Sequence, residues 1–233
     1  MLRAVYKSLF GERVFSGPFR GLHYVPRSIG SVHDAKLLGT YERELWPQVE
    51  QLIASAPDVI VNLGAGEGYY AVGLAARLPA TRVIAFETDP RGQELIRRFA
   101  RLNQVASQVE IRGHATPDGL ALALAGAQHP AVVIDVEGAE GELLDTARVA
   151  GLARSRILVE VHDFIAPLGG LLLARFAPTH RHVEIWSHAR GPRDIPGWAR
   201  LFALTPWRNR IVRAMDERRP ERMRWLWFEP LGP

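Results

Sequence analysis

The stretch that decides the fold is VIVNLGAGEGYY, residues 59–70. It begins as an apolar run, breaks into three alternating glycines, Gly64, Gly66 and Gly68, and continues as an amphipathic segment. A strand that enters a glycine-rich turn and then a helix is a common cradle for nucleotides, because glycine adopts positive φ and lets the backbone approach a ligand closely. The spacing is G-x-G-x-G, not the dinucleotide pattern G-x-G-x-x-G, and no P-loop lysine follows. The stretch therefore predicts a nucleoside-binding turn.

Strand and helix patterns alternate from here to the C-terminus. The predicted strands are residues 58–64, 82–88, 108–115, 131–138, 156–164, 182–189 and 223–230. The predicted helices between them are residues 69–78, 90–104, 117–127, 141–151 and 169–179. This alternation predicts an α/β fold, a Rossmann-like doubly wound and mostly parallel sheet with helices on both faces. Only an irregular segment separates the last two strands, so we expect an antiparallel strand at one edge.

The chain divides into a predicted cap and a predicted main domain. Residues 1–50 are compositionally mixed and are predicted to form an N-terminal extension or cap. Residues 51–233 are predicted to form the Rossmann-like domain, with residues 189–221 as an insertion. A helical pattern covers residues 36–55, and Pro47 is expected to kink it or to start a second helix. We expect the cap and the insertion to cover the acceptor pocket.

The composition excludes several classes of protein. A chain of 233 residues can bury a full core, and the absence of cysteine excludes disulfides, thiolate zinc sites and a cysteine nucleophile. No apolar run approaches the ~18–20 residues of a membrane span. The N-terminus lacks the apolar core of a signal peptide. The sequence therefore predicts a cytoplasmic protein without a membrane partner.

The positive charge is concentrated near the C-terminus. The net charge is +4, and residues 175–233 hold twelve arginines against six acidic residues. A solvated basic face is the favoured interpretation of this excess, over a surface that binds nucleic acid. Helical spacing places Arg210 and Arg213, in a segment that also holds Arg208, on one face. We expect these arginines to hold an acidic group of the acceptor.

An acidic residue follows the glycine turn at the distance typical of ribose recognition. Glu87 ends the next predicted strand, 19 residues after Gly68. A carboxylate there accepts hydrogen bonds from ribose hydroxyls and repels a 2′-phosphate, so NADP is an unfavoured ligand. Glycine turn and acid together favour a nucleoside ligand.

Four stretches together resemble the class I S-adenosylmethionine-dependent methyltransferases. VNLGAGEG, residues 61–68, resembles their first motif, and AFETDP, residues 85–90, resembles their second. AVVIDVEGAE, residues 131–140, is similar to the stretch characteristic of the FkbM-like methyltransferases. ILVEVHDF, residues 157–164, is similar to the strand that follows it in that group. The resemblance covers about residues 36–187.

The resemblance implies S-adenosylmethionine as the cofactor. The residues that it places at the cofactor are Asn62, Gly64, Gly66, Gly68, Glu87, His114, Ala115 and Asp135. The glycines would enclose the methionine end, Glu87 would hold the ribose, and His114 with Ala115 would lie beside adenine. Asn62 and His114 stand where the family usually has acids, and Asn62 is expected to hydrogen-bond the amino-acid moiety.

Candidate catalytic residues follow the next two strands. Asp135 and Glu137 end one strand, and His162 lies with Glu160 and Asp163 at the end of the next. Because the carboxyl ends of parallel strands meet at one edge, these groups are expected to converge. A hydroxyl acceptor must lose its proton, either to a base or through a metal that acidifies it. We predict Asp135, Glu137 and His162 as catalytic, with His162 as the general base; a divalent metal such as magnesium is the less favoured alternative.

The predicted activity is O-methylation of a small-molecule or glycan hydroxyl. The chain has DVEG where DNA amine methyltransferases carry an N/D-P-P-Y/F loop, and it has no cysteine for base C5 methylation. Nucleic acid is therefore an unfavoured partner. Two rivals remain: an RNA or protein methyltransferase that docks through the basic C-terminal region, and a catalytically silent cofactor-binding protein. No pattern in the sequence predicts an oligomeric state.

Overall fold

The computed structural model describes residues 12–29, 31–219 and 221–232, without the side chains of residues 201–203. The first eleven residues of the predicted cap therefore lie outside the described residues. Within the described part of the chain, no helix has the length and apolar character needed to cross a bilayer.

The described residues form one mixed sheet. Its strands are β1 (Val59–Leu63), β2 (Arg82–Phe86), β3 (Val109–Arg112), β4 (Ala131–Ile134), β5 (Arg156–Val161), β6 (His180–Trp186) and β7 (Arg224–Pro230). The strand order is β3-β2-β1-β4-β5-β7-β6, with β1 to β5 parallel to one another and β7 antiparallel to both neighbours. This is the Rossmann-like class I methyltransferase fold, so the predicted fold class is confirmed.

The antiparallel strand lies one place in from the edge. β7 inserts between β5 and β6, and Trp225 to Phe228 are buried along it. The edge strand β6 instead exposes most of its side chains. A strand buried on both faces reads as a continuous apolar run, which explains why RWLWF is internal and HRHVEIW is not.

Helices cover both faces of the sheet. They are α1 (His33–Leu38), α2 (Trp46–Ala54), α3 (Tyr69–Arg77), α4 (Pro90–Leu102), α5 (Pro117–Ala123), α6 (Glu140–Leu143), α7 (Leu168–Phe176) and α8 (Arg208–Met215). The helical pattern 36–55 is split at Gly39, which has φ +72°, and Pro47 lies in the first turn of α2 as expected. The helix predicted over residues 141–151 is shorter, because Asp145 accepts a hydrogen bond from the Ala147 amide and so favours a turn.

The N-terminal segment shares the core of the sheet domain. Val14, Phe19 and Tyr24 lie in the same buried apolar cluster as Val72 and Phe99. The boundary at residue 50 between a cap and a main domain stays a prediction.

Candidate active site

A cavity of about 480 Å³ opens along the carboxyl ends of the parallel strands. Successive strands contribute lining residues that follow the strand order of the sheet. From β3 to β7 these residues are His114, Glu87, Asn62, Asp135, Glu160 and Trp225. The residues predicted for the cofactor from β1, β2 and β3 thus lie on one side of Asp135, and β5 and β7 lie on the other.

The glycine turn brings two strand ends into contact. A Cβ on Gly64, which has φ +72°, would lie 1.7 Å from the carbonyl oxygen of Asp135, so only glycine fits there. Gly66, at φ +56°, borders the cavity, and a Cβ there would have only the Ile29 carbonyl within 4 Å. Gly68 caps α3 at φ +93° and faces Ile96, away from the cavity lining. Gly64 and Gly66 therefore border the predicted cofactor region, and Gly68 shapes the turn from behind.

Glu87 is held in a fixed orientation by the backbone. Its Oε2 accepts a hydrogen bond from the Gly66 amide at 2.7 Å, and its Oε1 accepts one from the Asp89 amide at 2.7 Å. Each carboxylate oxygen keeps a second lone pair. The carboxylate is thus preorganised to accept further hydrogen bonds from hydroxyls in the cavity.

Asn62 offers an acceptor that the described residues leave unused. Its Nδ2 donates to the Val133 carbonyl at 3.3 Å, and its buried Oδ1 has no hydrogen-bond partner in the described part of the chain. Buried polar atoms are almost always satisfied, so an orphaned acceptor on a cavity wall indicates a ligand with a donor. An ammonium group, such as that of a methionine moiety, fits this requirement. His114 and Ala115 form the wall farther along the sheet.

Three carboxylates, those of Glu42, Asp135 and Glu160, line the cavity, and two of them bind the guanidinium of Arg219, which is not itself a lining residue. Arg219 donates from Nη1 to Glu160 at 2.6 Å and from Nη2 to Glu42 at 2.7 Å. Burial, and then the charge of Glu42, raises the pKa of Asp135 to about 6. Burial, and then the charges of Asp135 and Glu42, raises the pKa of Glu160 to about 8. The carboxyls of Asp135 and Glu160 are therefore more basic than ordinary surface acids.

His162 lies behind Asp135 and is absent from the cavity lining. Its Nδ1 donates to the buried Glu140 carboxylate at 2.6 Å, and its Nε2 lies 3.6 Å from Asp135 and 3.5 Å from Glu137. Burial opposes the charge of the imidazole, but Glu140, Asp135 and Glu160 outweigh it and raise the pKa to about 9. At neutral pH the ring is therefore a cation. This arrangement does not favour the expected role of His162 as a free base.

A central part of the chain matches a known methyltransferase family model. The model describes the TRM5/TYW2 methyltransferase domain and matches residues 40–149, just under half of the chain, including the glycine turn, Glu87 and Asp135. The match coincides with the strands that carry the predicted cofactor residues. The protein is an S-adenosylmethionine-dependent methyltransferase. S-Adenosylmethionine is accordingly its cofactor.

Solved methyltransferases of several kinds are similar to this methyltransferase. An O-methyltransferase from Bacillus cereus in complex with S-adenosylhomocysteine is 14% identical, with 78% of each chain covered and a TM-score of 0.49. A putative O-methyltransferase from Klebsiella pneumoniae has the same identity, coverage and TM-score. The Bacillus subtilis tRNA methyltransferase TrmK is 12% identical, covering 81% of this chain and 65% of its own, with a TM-score of 0.49. No curated protein sequence matches the chain.

One group in the methyltransferase has the composition of a cation site. Ligand atoms of Asp135, Glu137 and His162 lie within 4.8 Å of one another in the described residues. The carboxylates of Asp135 and Glu137 already pair with the His162 imidazolium, and the Glu137 side chain is 80% exposed. The geometry therefore assigns no metal, and magnesium stays the less favoured alternative.

Several residues of the site carried no sequence signal. Glu42 and Arg219 are 177 positions apart and meet only in the folded protein. Lys36 lines the cavity and forms a buried ion pair at 2.5 Å with Glu67, the residue between the last two glycines of the turn. Glu67 was visible inside GAGEG, but nothing in a single sequence identifies its partner.

The arginines predicted to hold the acceptor lie elsewhere. Arg208, Arg210 and Arg213 are exposed on α8, and none of them lines the cavity. Arg210 lies over the Trp207 ring, 4.8 Å from its centroid. This placement does not support their predicted contact with the acceptor.

Proposed function

We propose that the protein transfers a methyl group to a hydroxyl of a small molecule or glycan, as the FkbM-like stretch IDVEGAE, residues 134–140, implies. The observation that carries this proposal is the position of Asp135. Its carboxylate lines the cavity between the predicted cofactor residues and the pocket formed by β5 and β7. The cytoplasmic location expected from the sequence stays a prediction.

The residues on β1 to β3 fit the cofactor. S-Adenosylmethionine supplies an electrophilic methyl group on a sulfonium. Asn62 Oδ1 would accept from its ammonium, Glu87 would accept from the ribose hydroxyls, and His114 with Ala115 would border adenine. Methyl transfer requires chiefly alignment and proximity, so the rigid turn and the fixed Glu87 contribute by holding one reactant in place.

Asp135 is the general base of this proposal. As the new oxygen–carbon bond forms and the sulfur–carbon bond breaks, the hydroxyl proton passes to the Asp135 carboxylate. A base with a pKa near 6 is ionised at neutral pH and is still more basic than an ordinary aspartate. His162, held by Glu140, positions Asp135 and supplies a positive charge behind it.

The dependence of kcat on pH, measured with the acceptor saturating so that its binding does not contribute, distinguishes the two bases. If Asp135 is the base, activity should be present above its raised pKa and should fall as the pH drops through about 6. If His162 were the base, the same loss would occur through about 9. We expect the acidic limb of the pH–activity profile, the fall in activity toward low pH, to lie near 6 under conditions in which the protein stays folded.

His162→Gln provides the control for this profile. The charge of His162 lowers the pKa of Asp135, so its removal should move the limb to higher pH and leave it present. A profile that loses the limb in this variant, or a wild-type limb near 9, would contradict Asp135 as the base.

An RNA methyltransferase is the second candidate, because residues 175–233 hold twelve arginines against six acidic residues. RNA docking would use the basic C-terminal region. Within the described residues, however, Arg190, Arg219 and Arg224 are engaged with carboxylates. The exposed arginines of α8 are then the best remaining contacts for phosphate.

Neutralising Arg210 and Arg213 together tests this candidate. Under our proposal, Arg210→Gln with Arg213→Gln should leave the acceptor KM and the affinity for S-adenosylhomocysteine within about twofold, since both residues lie outside the cavity. Enzyme kinetics and a transfer-RNA binding titration at several salt concentrations measure this. RNA would be supported instead if the wild-type affinity for transfer RNA fell steeply with salt and the variant showed a weaker dependence. The slope of log affinity against log salt concentration should then be smaller by roughly 2 in the variant.

A further inference from the structure

The cavity extends beyond Asp135 onto β5 and β7. Glu160 of β5 lies in register with Trp225 of β7, and both line this region. We call this region the acceptor half; its lining residues are Tyr41, Glu42, Tyr70, Asp135, Glu160 and Trp225. Because the residues that fit the cofactor lie on β1, β2 and β3, the acceptor half is the space left for the methyl acceptor.

The acceptor half has more acidic than basic groups. Glu42, Asp135 and Glu160 all line it, while the guanidinium of Arg219 is shared between Glu42, Glu160 and a further carboxylate, Glu217. Glu42 and Glu160 are only 2% and 5% exposed. In the described part of the chain, no hydrogen bond reaches the second oxygen of Glu160, Oε2. Buried carboxylates in excess of their counter-charges require a bound cation or a proton.

In the ligand-free protein, a proton on Glu160 balances this excess of buried carboxylates. The titratable groups that face Glu160 are Asp135, Glu42, Arg219, His162 and the hydroxyls of Tyr41 and Tyr70. After burial, the two acids dominate, so that the pKa of Glu160 is raised to about 8. Glu160 therefore holds a proton near neutral pH. A cation that entered the acceptor half would displace this proton, so that binding and deprotonation are coupled.

We propose that the methyl acceptor carries a protonated amine, which Glu160 and Glu42 bind in the acceptor half. This inference rests on the proposed function and identifies the substrate class of the same site. An ammonium brings three donors to carboxylate oxygens, and aromatic walls attract cations. The walls already hold one cation, since the Arg219 guanidinium lies 4.7 Å from the Trp225 ring centroid.

The acceptor half suits an organic cation better than a metal. In the described residues, neither Glu42 nor Glu160 belongs to a group of three or more possible metal ligands that lie close together. Each carboxylate also keeps one oxygen on Arg219, and the other oxygen of Glu42 accepts from the Tyr70 hydroxyl, which leaves few oxygens for a divalent ion. A hydroxylated amine would place its ammonium at Glu160 and Glu42 while its hydroxyl meets Asp135.

The test uses the full chain saturated with S-adenosylhomocysteine, in the presence of a chelator. Benzylamine and its neutral analogue benzyl alcohol are titrated by calorimetry near neutral pH, in two buffers of different ionisation enthalpy. We expect the amine to bind at least about tenfold more tightly than the alcohol. We also expect heats that depend on the buffer, because Glu160 releases its proton.

Glu160→Gln should weaken benzylamine binding about tenfold or more and abolish the proton release, because the amide carries no charge but still accepts from Arg219. Glu184→Gln is the matched control. Glu184 lies on β6, on the far side of β7 from Glu160, and is also paired with an arginine, Arg224, but it lies outside the cavity. Benzylamine affinity should be unchanged in this variant.

The outcomes separate the two proposals. Equal binding of amine and alcohol, or no binding of either at millimolar concentration while S-adenosylhomocysteine binds, would overturn the amine proposal and leave the methyltransferase proposal intact. Amine binding that survives Glu160→Gln would also overturn it. A failure of the protein to bind S-adenosylhomocysteine would instead count against the proposed function itself.

Discussion

Asp135→Asn is expected to lower kcat by about 10²–10⁴-fold, the range typical of a lost general base. The amide is isosteric with the carboxylate but cannot accept the hydroxyl proton. S-Adenosylhomocysteine carries no sulfonium charge, so its affinity should stay within about threefold. Single-turnover methyl transfer with labelled cofactor, beside calorimetric titration of S-adenosylhomocysteine, separates chemistry from binding.

Asp163→Asn is the matched control for this variant. Asp163 lies two residues beyond β5, the strand beside β4, accepts from the Gly169 amide and pairs with Arg224, but it does not line the cavity. Its replacement should leave kcat within about threefold, since exposed pairs contribute little. Full activity of Asp135→Asn would contradict its role as base, and equal losses in both variants would indicate a general defect of this edge of the sheet.

Gly66→Val is expected to weaken binding of S-adenosylhomocysteine by about 100-fold or more. For the wild type we expect a micromolar dissociation constant, which corresponds to a binding free energy of about −8 kcal/mol. Gly66 has φ +56°, and the space beside its missing Cβ is free of protein atoms closer than 3.6 Å. The branched side chain would therefore project into the region where the cofactor and the backbone must meet. Calorimetry measures the loss, and circular dichroism reports folding.

Gly126→Val controls for the cost of the left-handed backbone. Gly126 has φ +76°, a Cβ added to it would have no atom within 4 Å, and it lies outside the cavity. The variant should lose stability by an amount similar to Gly66→Val and keep normal cofactor binding. A folded Gly66→Val protein that bound S-adenosylhomocysteine like the wild type would show that the cofactor lies elsewhere.

The sheet could be predicted because its signals are local. Apolar runs such as VIVNL and RILVEV and the glycine turn after the first of them mark strand ends within a few residues. The position of β7 between β5 and β6 depends on which strands are buried on both faces, and only RWLWF hinted at it. The end of α6 depended on a single side-chain hydrogen bond at Asp145.

The site could be predicted only where one motif supplies neighbouring groups. Glu87 was predicted from its distance to the glycine turn, and Asp135 because the strand ends of a parallel sheet converge. The meeting of Glu42 with Arg219 joins distant parts of the chain, so that no spacing rule reveals it. The charge of His162 likewise depends on Glu140, a buried tertiary partner, and an isolated histidine gave the opposite expectation.

The most direct test of the central claim is a crystal structure of the protein with S-adenosylhomocysteine. The account predicts the ligand ammonium at Asn62 Oδ1, the ribose hydroxyls at Glu87, adenine beside His114 and Ala115, and the sulfur facing Asp135. The half of the cavity at Glu42 and Glu160 should stay free for the acceptor. A ligand bound across Glu42 and Glu160, with Asn62 and Glu87 untouched, would contradict the account.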